Sequence, residues 1–129
     1  MKQCYLIDTD ILIDCLRGKQ KALVFIESAM AQKVCFISAM SIAEINAGVR
    51  EGQERQLLTQ SLTSFEVVSL TRSIAEVGGL YRRDYGKSHG VGLADALIAA
   101  CAQANDAQLA TLNKKHYPMM AVHVPYRKT

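Results

Sequence analysis

Three acidic residues stand out because no single local pattern accounts for them. Asp8 directly follows the apolar run Tyr5-Leu6-Ile7. Glu44 lies within Ile37-Ser38-Ala39-Met40-Ser41-Ile42-Ala43-Glu44-Ile45. Asp95 is the only charge in the run from Gly92 to Asn105. A carboxylate in apolar surroundings is costly unless it is paired or binds a metal. Carboxylates gathered in one place repel one another and raise each other's pKa. A hard divalent cation such as Mg2+ or Mn2+ prefers oxygen ligands and supplies the missing charge. Such an ion can polarise a phosphodiester and activate a water. If the acids meet, the chemistry they suit is metal-assisted hydrolysis of a phosphate ester.

Each acid also has a plainer reading. Asp8 and Thr9 both precede a helical stretch, where either could be the N-cap. Ser41 and Glu44 have the S-x-x-E spacing of a capping box. Asp95 in a first helical turn complements the helix dipole. These alternatives stay open at the level of sequence.

The elements that must carry the acids alternate. Cys4 to Ile7 reads as a buried strand. Thr9 is expected to cap a helix through Leu16, ended by Gly18. Lys21 to Ala31 reads as helix, Val34 to Ile37 as strand, Ala39 to Val49 and Glu54 to Ser64 as helices. Phe65 to Leu70 is the third strand, and Thr71 caps a long helix towards Tyr85. Leu93 to Asn105 is helical. Leu109 to Leu112 and Ala121 to Val124 are the last strands. This order predicts an α/β fold with a mostly parallel sheet of about five strands, helices on both faces. In such sheets the ligand site lies beyond the carboxyl ends of the strands, near a switch in strand order.

The chain has 129 residues, 50% hydrophobic and 21% charged, which suits one domain spanning 1–129. No segment approaches the roughly 18–20 apolar residues of a membrane span. The N-terminus lacks the pattern of a secretory leader, so the expectation is a cytoplasmic protein with no membrane partner. Cys4, Cys15, Cys35 and Cys101 are scattered, with no C-x-x-C pair, which argues against a zinc knuckle or a redox motif. A net charge of +3 does not by itself demand nucleic acid. No phosphate-binding glycine loop is present.

Four segments together resemble the PIN-domain ribonucleases, in particular the VapC type of toxin from bacterial toxin–antitoxin pairs. They are Tyr5 to Ile13, Ile37 to Ile45 followed by Gly48, Asp95 to Ala100, and Leu109 to Tyr117. The resemblance implies a three-layer α/β/α sandwich and an endoribonuclease that cleaves RNA phosphodiesters with a water activated by Mg2+ or Mn2+. It also implies a homodimer and a cognate antitoxin as inhibitor. Residue by residue, Asp8, Glu44 and Asp95 match the metal-binding acids. Thr9, Ser41, Thr111 and Asn113 match polar positions lining the site. Many relatives carry a further aspartate in the late loop; here Asn113 and His116 stand there, so Asn113 or Asp10 is the candidate fourth ligand. A histidine suits softer metals than magnesium.

Candidate RNA contacts are Arg82, Arg83, Lys87, Lys114 and Lys115, with Arg17, Lys19 and His89 as further cations. The stretch Tyr81 to Gly90 mixes cations, rings and glycines, and reads either as a loop able to hold a strand by charge and stacking or, for any single residue more simply, as the solvated end of the preceding helix. The amphipathic helices within 11–31 and 54–64 offer faces for a partner helix. Asp8-Thr9-Asp10 also superficially fits the D-x-D motif of haloacid-dehalogenase phosphatases, although the later acidic pair of that class is missing. A catalytically silent binding module of the same fold is the other alternative.

Overall fold

The computed structural model describes residues 4–128. Five strands form one parallel sheet: β1 (Cys4–Ile7), β2 (Val34–Ser38), β3 (Glu66–Val68), β4 (Gln108–Ala110) and β5 (Val122–His123). Their spatial order is β3-β2-β1-β4-β5. Leu6 aligns with Phe36 on one side and with Leu109 on the other.

The helices are α1 (Thr9–Leu16), α2 (Gln20–Gln32), α3 (Ala39–Ala47), α4 (Gln53–Leu62), α5 (Arg72–His89) and α6 (Leu93–Ala104). They pack on both faces, giving the expected α/β/α layering. The strand period of two explains how. Leu6 and Leu109 face Ile74, Ile98 and Cys101 of α5 and α6. Their neighbours Ile7 and Ala110, with Cys35 and Ile37, face Ile11, Leu12, Ala29, Ile45 and Leu58 of α1 to α4. Strands buried on both sides read as continuous apolar runs, which is why β1 was legible.

Strand order reverses at β1: β2 lies on one side and β4 on the other. Asp8, the residue after β1, therefore stands at the switch point where open α/β sheets bind ligands. Helix α6, which carries Asp95, is seated tightly on α5. A Cβ on Gly78 would lie 2.6 Å from Leu97 Cδ2 and 3.2 Å from Leu97 Cα, so only glycine permits this approach.

Several boundaries differ from expectation. The late strands are shorter than read, with Leu112 already outside β4. Helix α1 is capped by Asp8, whose side chain accepts from the Thr9 N–H, and not by Thr9. Of the two readings of Tyr81 to Gly90 the helix end holds: α5 continues past Tyr85 to His89 and stops at Gly90, a left-handed cap with φ +64°. Glycine at 78, 79 and 86 weakens the local helix signal, but packing of α5 on α6 overrides it. Among the described residues, all four cysteines are free, and no helix is long and apolar enough to cross a membrane.

Candidate active site

Asp8 is 5% exposed. Its Oδ1 accepts from the Thr9 N–H at 2.8 Å. Its Oδ2 accepts from the Thr111 hydroxyl at 2.7 Å and from the Tyr117 hydroxyl at 2.9 Å. Thr111 is held by the last bond of the sheet, its N–H donating to the His123 carbonyl at 3.0 Å. Its hydroxyl oxygen in turn accepts from the Asn113 N–H at 3.1 Å.

Asp95 sits in the first turn of α6, partly buried. Its Oδ1 lies 3.3 Å from the Tyr117 hydroxyl, and its Oδ2 lies 3.3 Å from His116 Nδ1. The 3-10 turn Lys114–His116 delivers both residues. Tyr117 thus touches two acids that come from distant parts of the chain. Its role was missed in the sequence, where it closed a matching segment without drawing notice. A tyrosine ending a polar loop after a buried strand was the available signal, since a buried tyrosine needs a partner for its hydroxyl. Burial, then the flanking acids, push its pKa up, so the hydroxyl stays a donor.

Glu44 enters through a different relay. The Thr9 hydroxyl donates to Glu44 Oε1 at 2.7 Å and lies 2.8 Å from the Ser41 hydroxyl. Because Asp8 caps α1, Thr9 is free to do this. The capping-box reading of Ser41 and Glu44 is overturned: Ser38 caps α3 by accepting from the Met40 N–H, and Ser41 is buried. Asp10 accepts through Oδ2 from the Leu112 N–H at 3.0 Å and from Asn113 Nδ2 at 3.3 Å. The same oxygen lies 3.4 Å from the Thr111 hydroxyl. Thr111 therefore links Asp10 to Asp8.

The electrostatics are one-sided. Desolvation, followed by the charge of Asp10, raises the Asp8 pKa from 3.8 to about 7 against three hydrogen bonds that lower it. Burial raises Asp10 as well, and Lys128 opposes that. Among the described residues, no lysine or arginine forms an ion pair with Asp8, Asp10, Glu44 or Asp95. Nor do any three acid, His or Cys side chains among them converge into a ready metal cage. The acids are spread along one edge and occupied by hydroxyl and amide donors. An all-oxygen donor set, short of positive charge, is what a hard divalent cation fits, with side-chain adjustment to close around it.

The proposed RNA-contact residues divide into two groups. Lys114 and Lys115 are exposed on the turn beside Asn113 and His116. Arg82, Arg83 and Lys87 are exposed on the helical end of α5, away from any bond to the acids. Arg83 is engaged with Asp84 at 2.8 Å.

The PIN domain family pattern matches residues 5–119. Ribonuclease VapC10 of Mycobacterium tuberculosis (strain ATCC 25618 / H37Rv) is 43% identical over 115 residues, 88% of this chain and 86% of that protein. Ribonuclease VapC19 of the same strain is 38% identical over 116 residues, 88% of this chain and 92% of that one. A chain of a solved toxin-antitoxin complex from Klebsiella pneumoniae superposes with a TM-score of 0.80 at 28% identity, covering 96% of this chain and 99% of that one. The chain belongs to the PIN-domain family, in the branch of the VapC ribonucleases. The D-x-D phosphatase alternative gives way to this assignment.

Proposed function

We propose that this chain is the toxin of a toxin–antitoxin pair, a Mg2+- or Mn2+-dependent endoribonuclease acting in the cytoplasm. The observation that carries the reading is the meeting of Asp8, Asp10 and Asp95 through Thr111 and Tyr117 at the carboxyl edge of the sheet, with no lysine or arginine among the described residues paired to them. Asp8, Glu44 and Asp95 are the metal-holding acids. Asp10 is the better fourth ligand, because Asn113 turns its amide nitrogen to that carboxylate. When bound, a divalent cation supplies the charge that activates water and steadies the departing oxygen of the phosphodiester.

The protein's own groups prepare the site for that chemistry. Thr9 orients Glu44, and Thr111 with Tyr117 orients Asp8. Lys114 and Lys115, at the rim, offer positive charge to RNA phosphates. Arg82, Arg83 and Lys87 add a more distant, sequence-independent attraction.

A groove of about 540 Å³ runs beside Glu44, between α1, α3 and α4. Ile13, Leu16, Val49 and Leu57 line it, with Arg17 and Arg50 at its borders. Arg50 is paired with Glu54 there, and an amphipathic antitoxin helix can lay its apolar face on the aliphatic part of this mixed groove. The toxin is expected to pair with a second copy of itself in the assembled complex.

The test is cleavage of a pool of cellular RNAs by purified protein, with and without Mg2+ or Mn2+. Asp8→Asn and Asp95→Asn should each lower the rate by about two orders of magnitude or more. Undiminished cleavage by both variants would sink the assignment.

A further inference from the structure

We propose that Tyr117 is a positioning residue that holds Asp8 and Asp95 in a shared geometry for a divalent cation. The inference rests on the metal-binding role proposed above for those acids. Two features of one side chain carry it.

The Tyr117 ring is only 2% exposed and packs in the core cluster with Leu6, Ile98 and Leu109. Phenylalanine would fill that space equally well. The hydroxyl is the side chain's one polar atom, and it is directed at the two acids, 2.9 Å from Asp8 Oδ2 and 3.3 Å from Asp95 Oδ1. A phenol carries one hydrogen. It donates to the nearer Asp8, while Asp95 shares the same hydrogen at longer range. Among the described residues, no other side chain is bonded to both acids.

The pattern of occupied oxygens agrees. Asp8 Oδ2 already takes two hydroxyl donors, whereas Oδ1 takes only the Thr9 N–H. Oδ1 is therefore the oxygen with room for a further partner. At Asp95, consecutive residues grip the two oxygens, Tyr117 at Oδ1 and His116 at Oδ2. Asp8 ends a strand and Asp95 opens a helix far along the chain, so their relative placement depends on such a tie. Hydrogen-bond partners of ligating groups commonly set affinity in this way, and their loss weakens metal binding by roughly 10–100-fold.

The experiment is calorimetric titration of the whole, chelator-stripped protein with Mn2+. Tyr117→Phe keeps the ring, so its circular dichroism should match the native protein and its melt should stay cooperative, at a somewhat lower midpoint for the lost hydrogen bond to Asp8. Its Mn2+ affinity should fall by about 10-fold or more. Asp95→Asn should fall further. Native-like or tighter Mn2+ binding by Tyr117→Phe, with Asp95→Asn still weakened, overturns the positioning role and leaves the metal site standing. Native-like binding by both Asp8→Asn and Asp95→Asn overturns the metal site itself, and this inference with it.

Discussion

Helix α1 begins and ends near a buried aspartate, and the fold surrounds the two in opposite ways. Asp14 is 2% exposed. The Tyr126 hydroxyl donates to its Oδ2 at 2.9 Å, and Lys128 Nζ lies 3.7 Å from its Oδ1. That second distance is too long for a hydrogen bond, so Oδ1 is left with charge compensation alone. Asp8 is as deeply buried but meets only neutral donors and a second acid, Asp10. A buried carboxylate must be offset by something. The C-terminal tail brings Asp14 a cation from within the chain. Asp8 is given hydrogen bonds and, among the described residues, no cation. The first arrangement fastens the tail to α1; the second leaves a buried carboxylate held by neutral donors alone.

The sharpest way to break this comparison is to remove the Asp8 charge in the presence of chelator. The folded pKa of Asp8 is raised from 3.8 to about 7, so between those values the native state holds a proton that the unfolded state has released. Stability of the metal-free protein should therefore fall as pH rises from about 4 to about 7 and level off above. The upward shift of Asp10 acts in the same direction. Asp8→Asn should flatten this slope and be the more thermostable protein at neutral pH in thermal melts. A slope of unchanged steepness in the variant would show that Asp8 is not the uncompensated acid.

Asp14→Ala should behave differently. It loses a hydrogen bond to a charged group and should cost about 2 kcal/mol in denaturant unfolding. The loss should be the same with chelator and with Mn2+, and RNA cleavage should persist. A loss that Mn2+ repairs would erase the distinction between the two aspartates. The smallest effect belongs to Lys128→Ala. Its side chain is 61% exposed, so solvent screens the pair, and the expected cost is below about 1 kcal/mol. A double-mutant cycle with Asp14→Ala would measure that coupling. A coupling well above that value would make the tail a stronger clasp than its exposure allows.

The layered parallel fold was legible because its signals are local. The run from Cys4 to Ile7, the alternation of apolar runs with amphipathic stretches, and Gly18 after α1 all read correctly. The end of α5 was less sharp, since its glycines and charges allow a loop as well as a helix end, and the helix runs on to His89. Thr71 was read correctly as the cap of α5, while the cap of α1 was left between Asp8 and Thr9 and that of α3 was looked for at Ser41 instead of Ser38. Asp8 and Thr9 are equally good caps by type, as Ser38 and Ser41 are acceptable ones. Which residue takes the role depends on what the other finds elsewhere in the fold. Thr9 finds Glu44, and Ser41 is buried against Thr9.

By itself the sequence determined which acids stand in apolar surroundings and roughly which elements bear them, because residue type and short-range periodicity are written in adjacent positions. Only the tertiary structure decided how those acids are dressed. Tyr117 meets Asp8 across a separation of 109 residues and Thr111 across 103, joined by strand order and by a short turn after β4. No local pattern encodes such pairings, since they arise when the sheet lays β4 against β1. The same assembly gave Asp14 its lysine and, among the described residues, none to Asp8, and that difference in surroundings separates a structural acid from a candidate metal ligand.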